Sequence, residues 1–412
     1  MFSQSTITPI LNGLFFLYAL SVPLSRAGIV VFGFLIILVW LFLGENRRLE
    51  LKSVFEYRSL QALFVYILYC FVALLWVESD NLLLALKAFS KYWYFLVIPI
   101  MIATIKQKHI FPLIATFLIG VVLSAILSYG IFFEFFNTKH GIASDPTPIM
   151  RHLDFGLFLA FGALILLIRF LYETHLRYKL LYFALFGIAA MDIFIIGGRV
   201  GYIIFVPTLL LVILYHFEQR LKALLITLSL LSIVLIGAYN FSPPFKHRAD
   251  MSVESISKLY SQQDYCTSWG MRVGAFVVAK DIVVHEPFFG VGNRDHIERL
   301  QTIIATQYPT MECLSWFMHY HNQYLEILTQ GGLVGLLLFL SIFYFVARMK
   351  FQNKEFELLK IVFVGVYLIG FIAEPYLSAK QFPMAMFALF FALLHAYYRF
   401  ENTAHDPHKP TA

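Results

Sequence analysis

Apolar runs about as long as a bilayer is thick alternate along this chain with short polar clusters rich in lysine and arginine. The runs fall near 8–24, 27–43, 60–77, 89–105, 110–136, 153–172, 180–197, 200–217, 223–241, 323–347, 359–374 and 382–398. Since a crossing helix needs roughly 20 mostly apolar residues, the pattern predicts about twelve transmembrane helices. The runs are uninterrupted, whereas a membrane β-barrel would show alternating segments of about 10 residues. The expected fold class is therefore an all-α membrane protein. Residues 1–241 hold nine spans, 242–321 form a large extramembrane loop between spans 9 and 10, 322–400 hold three more spans, and 401–412 form a polar tail.

Within the loop, Pro243-Pro244 is expected to end the preceding helix, with polar chain running on to Cys266. Met271, Ala275, Val278 and Ile282 then recur at helical spacing over 268–285, before Pro287 and the Gly290-Val291-Gly292 turn stop the helix. A second short helix is expected over 295–306. No internal repeat or linker marks a second soluble domain.

Composition and charge narrow the class. With 60% hydrophobic and 14% charged residues and a mean hydropathy of +0.75, the chain falls outside the range of a soluble domain. Residues 1–8 lack a basic stretch and the first apolar run is followed directly by a second, so the first run is read as a retained span rather than a cleaved signal. The net charge of +6 forms no stripe or motif for nucleic acid. Its use is topological: with the N-terminus inside, seventeen lysines and arginines fall on the inner side, from Arg47, Arg48 and Lys52 to Arg399 and Lys409. Seven fall in the short outer segments: Arg26, Lys87, Lys91, Lys139, Arg151, Arg199 and Lys380. Both termini are therefore expected in the cytoplasm. Cys266 and Cys313 share the outer loop, where an oxidising compartment favours a disulfide over two free thiols.

The candidate chemistry lies at outer span ends. Arg199, in Gly197-Gly198-Arg199-Val200-Gly201, sits in a tight turn between two spans, where its fork of donors suits a phosphate or diphosphate; the plainer role is a snorkelling anchor. Arg272 lies near the start of the loop helix, placed to share an anion with the backbone amides. His319 and His321 stand just before a long span, where a neutral imidazole can take a proton from a sugar hydroxyl. His-x-His also raises a metal, but no third ligand lies at a suitable sequence spacing, so no metal is expected. Asp154 and Asp192 are read as nearest the middle of spans, with Glu326 and Glu374 nearer outer ends, and Arg151 and Lys380 as their natural partners. Lys87 and Lys91, one turn apart, form a basic edge suited either to acidic lipid headgroups or simply to anchoring the helix.

Three stretches together resemble the O-antigen ligase and O-antigen polymerase family, membrane enzymes of the inverting C-type glycosyltransferase kind. They are Gly197-Gly198-Arg199-Val200-Gly201; Arg272-Val273-Gly274-Ala275 through His285-Glu286-Pro287-Phe288-Phe289-Gly290-Val291-Gly292; and His321-Asn322-Gln323-Tyr324-Leu325-Glu326 through Gly331-Gly332-Leu333-Val334-Gly335-Leu336. Where the family often has a tryptophan a few residues after the loop arginine, this chain has Gly274-Ala275-Phe276. The resemblance implies that Arg199 and Arg272 bind the donor diphosphate and that His321 acts on the acceptor hydroxyl. His319, Asn322, Lys87, Lys91 and Arg151 stand as supporting residues. It implies an undecaprenyl-diphosphate-linked glycan donor, a lipid A-core acceptor, membrane lipids, an O-antigen polymerase as a protein neighbour, and no cofactor or nucleic acid. The expected setting is the bacterial inner membrane with a periplasmic active site. The ligase is favoured over the polymerase, and a flippase or proton-coupled transporter is the rival class, although the chain shows neither inverted repeats nor many midplane polar groups.

Overall fold

The computed structural model describes residues 4–42, 51–52, 54–138, 141–196, 198–378 and 380–403. The readings that touch Arg47, Arg48, Lys139, Gly197, Lys409 and nearly all of the tail lie outside these residues. Among the described residues the chain is all-helical, with only an isolated bridge between Ile142 and Asp145. The helices are α1 (Gln4–Leu24), α2 (Arg26–Leu41), α3 (Arg58–Val72), α4 (Ser79–Phe89), α5 (Val97–Thr104), α6 (Gln107–Phe132), α7 (His152–Tyr172) and α8 (Leu176–Asp192). They continue with α9 (Val200–His216), α10 (Arg220–Phe241), α11 (Pro243–Gln262), α12 (Gly270–His285), α13 (Asp295–Gln307), α14 (Gln323–Arg348), α15 (Lys354–Gly370) and α16 (Gln381–Thr403). A 3₁₀ stretch, Ser90–Leu96, joins α4 to α5, so that Ser79–Thr104 runs as one broken span.

Among the described residues, seven helices are long and apolar enough to cross a membrane: Arg58–Trp76, Ser79–Thr104, Gln107–Phe132, His152–Tyr172, Arg220–Phe241, Gln323–Arg348 and Gln381–Asn402. Pro9–Leu24, Arg26–Leu41 and Val200–His216 are shorter apolar helices. The expected spans at 180–197 and 359–374 fall on α8 and α15, of 17 residues each. Such a helix rises about 25 Å, short of a hydrocarbon core of roughly 30 Å. The chain is thus a multi-pass helical membrane protein whose strongest crossings number seven. Its need for lipid shows in α10, where Leu221, Leu230, Ile233 and Ile236 are all exposed. A helix apolar all round and left bare is stable only against hydrocarbon. At the other extreme, every residue of α16 from Met384 to Leu394 is fully buried, which makes α16 the axis of the bundle. It packs against α1, α5, α6 and α7.

α10 ends at Phe241, as the two prolines predict, and the polar stretch after Ser242 is itself a helix, α11: Pro243 and Pro244 occupy its first turn, where a missing N–H costs nothing, and the Ser242 hydroxyl caps it by accepting the Phe245 N–H at 3.4 Å. One sequence reading is corrected. Asp154 and Asp192 lie in the first turn of α7 and at the last residue of α8, not at mid-span. The two expected loop helices are present as α12 and α13 and share their own core, including Ala275, Val278, Ile282, Leu300, Ile304, Leu314 and Tyr320. Cys266 and Cys313 are bonded, with Cα atoms 5.6 Å apart across 47 residues of chain.

The long helix α14 breaks at Gly332, whose φ of 60° and ψ of −164° belong to no helix. Residues 287–292 enter the break. The Leu333 and Val334 N–H groups donate to the Pro287 and Phe288 carbonyls at 2.8 and 3.1 Å, and the Val291 and Gly292 N–H groups donate to the Thr329 and Gln330 carbonyls at 3.0 Å each. The backbone groups freed by the break are thus satisfied by the loop, as a span at this depth requires. A side chain at Gly332 would bring its Cβ within 2.3 Å of the Phe288 backbone, so only glycine fits.

Candidate active site

Three distant segments meet at one end of the bundle. Arg199 is the residue before α9, Arg272 lies in the first turn of α12, and His321 lies two residues before α14. All three line one cavity of about 250 Å³, with Arg248 from α11 and Glu374 from the link between α15 and α16. Arg199 Nη1 donates to the Ser268 hydroxyl at 3.0 Å, and Arg272 Nη1 donates to the Ser268 carbonyl at 2.8 Å. Both guanidiniums are therefore drawn to the same turn. Burial, then the like charges of Arg272 and Arg248, pull Arg199 below the ordinary arginine pKa, against an opposing pull from Tyr202. Burial does the same to Arg272, partly offset by Glu374. An arginine keeps its proton regardless, so these directions record mainly the cost of burying two cations, which an anion entering the cavity would offset.

The histidine side is built on a carboxylate. His321 Nδ1 lies 2.6 Å from Glu374 Oε1, and Lys380 Nζ donates to Glu374 Oε2 at 2.5 Å. Burial raises the pKa of Glu374, but the His321 hydrogen bond and the Lys380 charge outweigh it and hold the group down at about 2. An ionised carboxylate only accepts, so Nδ1 carries the imidazole proton and Nε2 keeps a lone pair. His319 complements it. The His321 backbone N–H donates to His319 Nδ1 at 3.2 Å, and burial, then the neighbouring His321 charge, lower the His319 pKa to about 4. A neutral His319 thus carries its proton on Nε2. One imidazole can accept a proton and its neighbour can donate a hydrogen bond, with ring centroids 4.2 Å apart.

Local structure fixes both rings. His321 adopts φ 50°, a left-handed conformation uncommon for a residue with a Cβ and typical of functional strain. Tyr320 between them is 1% exposed and anchored: its N–H donates to Glu326 Oε2 at 2.9 Å, and Glu326 Oε1 lies 3.2 Å from His296 Nε2.

Of the supporting residues, His319, Lys91 and Arg151 line a cavity that shares His321 with the first. Lys87 lies exposed on α4 and lines neither cavity. Asn322 is the cap of α14, its Oδ1 accepting the Tyr324 and Leu325 N–H groups at 2.9 and 3.0 Å, and it does not line the cavity either. Sequence spacing missed Arg248, in a polar stretch for which no helix was expected, and the partnership of Glu374 with His321, which are 53 residues apart. It also missed a third potential metal ligand: ligand atoms of His319, His321 and Glu374 lie within 4.8 Å of one another. Both Glu374 oxygens and both Nδ1 atoms are already engaged by protons, one of them from the Lys380 ammonium. The arrangement as it stands is a hydrogen-bonded chain from Lys380 through Glu374 to His321.

Fold and site together define a multi-pass helical membrane protein with a guanidinium-lined cavity facing a carboxylate-supported histidine. Residues 184–340 match the sequence profile of a family described as O-antigen ligase. The match runs from α8 through most of α14 and includes Arg199, Arg272 and His321 but not Glu374. An uncharacterized protein of Haemophilus influenzae (strain ATCC 51907 / DSM 11121 / KW20 / Rd) is 25% identical over 248 residues, 57% of this chain and 61% of its own length.

Proposed function

We propose that the protein is a glycosyltransferase that moves a glycan from undecaprenyl diphosphate to a sugar hydroxyl at the periplasmic face of the inner membrane. The observation that carries this reading is the meeting of Arg199, Arg272 and His321, from three distant segments, on one cavity. The Cys266–Cys313 bond in the same extramembrane region favours the periplasmic side. In the reaction, His321 Nε2 takes the proton of the acceptor hydroxyl as its oxygen bonds to the anomeric carbon. The bond from that carbon to the diphosphate oxygen breaks, and its electron pair leaves with the phosphate. Charge builds on the leaving diphosphate, where the preplaced guanidiniums of Arg199 and Arg272 stabilise it without reorganising. Single displacement inverts the configuration, and the donor bond supplies the driving force. Glu374 supports the imidazolium that forms.

Within the family that the profile match suggests we favour the ligase, with the lipid A-core as acceptor; the long outer loop late in the chain supports it. The polymerase is the second reading. A deletion strain separates them by its lipopolysaccharide: bare core with polymer accumulating on the carrier lipid marks a ligase, and core bearing a single repeat marks a polymerase. Normal glycan with lost solute uptake refutes both and points to transport. In the purified protein, Arg199→Ala and Arg272→Ala should each abolish transfer while the chain still inserts. Wild-type transfer by either variant refutes the assigned role.

A further inference from the structure

A second pair of histidine and carboxylate opens onto the guanidinium cavity. His152, the first residue of α7, lines it together with Arg199, Arg248, Arg272, His321 and Glu374. Its Nδ1 lies 2.7 Å from Asp145 Oδ2. A carboxylate only accepts, so Nδ1 carries a proton, and Nε2 has no hydrogen-bond partner among the described residues. Asp145 is set by a tight loop. Its N–H donates to the Ile142 carbonyl at 2.9 Å, its carbonyl accepts the Ile142 and Thr147 N–H groups at 3.2 and 2.8 Å, and the Ser128 hydroxyl of α6 donates to the next carbonyl, Pro146, at 2.6 Å. The ring also packs against the turn that carries Arg199. A Cβ at Gly198 would come within 2.9 Å of His152 Cδ2, so glycine is what lets the imidazole reach that turn.

The imidazole does nothing for its own helix, because the first turn of a helix disfavours a cation. Protein groups alone leave its charge contested. Asp145 favours the protonated ring, whereas Arg199, Arg248 and Arg272 across the cavity oppose it. Glu374 is taken up by His321 and Lys380, and Asp154, two residues on, lies 3.5 Å from Lys380 Nζ. A diphosphate decides the matter. Phosphate oxygens accept, so a neutral Nε2 would turn its lone pair on them, whereas a protonated Nε2 donates a charge-assisted hydrogen bond.

We propose that His152 is the general acid of the transfer, giving its Nε2 proton to the leaving diphosphate while Asp145 positions the ring. The proposal rests on the glycosyl-transfer reading above. As the bond from the anomeric carbon to the phosphate oxygen breaks, its electron pair stays on the diphosphate, which takes the Nε2 proton. The imidazole is left neutral and still hydrogen-bonded to Asp145 through Nδ1. His321 gains a proton from the acceptor as His152 loses one, so the site as a whole neither gains nor loses charge on its side chains. The two groups are matched, since a terminal phosphate takes up its second proton near about pH 6, where an ordinary imidazole also titrates.

The test uses the full-length protein in nanodiscs, with an undecaprenyl-diphosphate glycan as donor and lipopolysaccharide lacking O-glycan as acceptor. The single-turnover rate of the wild type should follow a bell with pH, its rising limb from the base and its falling limb from the acid. His152→Gln keeps a hydrogen-bond donor but has no proton to transfer. It should lower the rate near pH 7 by roughly a hundredfold or more and abolish the falling limb. Asp145→Asn should move that limb to lower pH with a smaller loss of rate. A wild-type rate in His152→Gln, or a wild-type profile with no falling limb, overturns the proposal. So does a loss of rate that leaves the bell intact, which marks a pair that only holds the loop. Should the wild type transfer no glycan, the functional reading fails, and donor binding still decides the role of His152. Affinity for the undecaprenyl-diphosphate glycan that falls from about pH 6 to 9 in wild type and stays level in His152→Gln upholds a protonated His152 on the diphosphate; the same slope in both overturns it.

Discussion

Replacing Glu374 by glutamine keeps the shape of the side chain and removes the charge that His321 and Lys380 share. The magnitude follows from the carboxyl group. Its pKa falls from 4.5 to about 2 because the His321 hydrogen bond and the Lys380 ammonium overcome burial. At about 1.4 kcal/mol per unit, the ionised form is favoured by on the order of 3 kcal/mol. The sign is that of a depressed carboxylate: the contribution is complete above about pH 4.5 and is lost as pH falls towards 2. At pH 7 the variant should therefore be less stable by up to about 3 kcal/mol, and the acid-induced loss between pH 4.5 and 2 should shrink relative to wild type. The rate should suffer more, because an amide neither fixes the proton on Nδ1 nor supports an imidazolium at 2.6 Å. A fall in transfer of roughly 10² to 10⁴ is the scale for loss of general-base action. Denaturant titration of the detergent-solubilised protein reads the first effect, and single-turnover transfer reads the second. Transfer within about threefold of wild type, with unchanged stability at pH 7, would refute this role of Glu374.

Arg248→Ala should lower transfer by about tenfold or more through kcat, as the loss of a third cation near the leaving diphosphate, and a wild-type rate counts against that placement. Cys313→Ser should weaken the outer region by about 4 kcal/mol on the chain-entropy model, read as faster proteolysis of 242–321; reductant should reproduce it in wild type, and indifference to reductant contradicts a structural bond. His319, lowered from 6.5 to about 4, gives stability that is complete above pH 6.5 and lost as pH falls through 4, so His319→Gln should flatten the melting temperature over that window; an unaltered pH profile refutes it. Gly332→Ala should prevent assembly of α14, seen as loss of folded protein from the membrane, since its Cβ would meet the Phe288 carbonyl at 2.3 Å; normal yield would show that the break is not needed.

What the sequence disclosed was whatever a local pattern encodes. Long apolar runs give helices because a span has no other way to satisfy its backbone, and Met271, Ala275, Val278 and Ile282 mark the buried face of α12. Arg199, Arg272 and His321 stood out because each is a polar residue where hydrophobicity alone would not put one. Glu374 and Arg248 were hidden for opposite reasons. Glu374 gains meaning only from His321 and Lys380, a relation of folding in space, and Arg248 lay in a stretch whose two prolines mark the end of α10 and, less legibly, also begin α11. Asn322 misled in the other direction, since beside a reactive histidine it looks chemical and its side chain is spent on capping α14.

The loop and the long broken span act as one piece through the hydrogen bonds between residues 287–292 and the break at Gly332. α12 carries Arg272 in its first turn and ends at His285, just before residues 287–292, which fill the break in α14; α14 in turn begins just after His321. The distance between the guanidinium and the imidazole is therefore set at two places. One is the clamp at Gly332, and the other is Tyr320, held by Glu326 from within α14 itself. A loop that merely covered the bundle would leave that spacing to thermal motion, whereas displacement at carbon tolerates errors of well under an ångström between base and leaving-group donors. The left-handed turn at His321 and the glycine-only break are then two parts of a single positioning device. Glu374 and Lys380, arriving from the far side of α15, complete the chemistry without being needed to hold that frame.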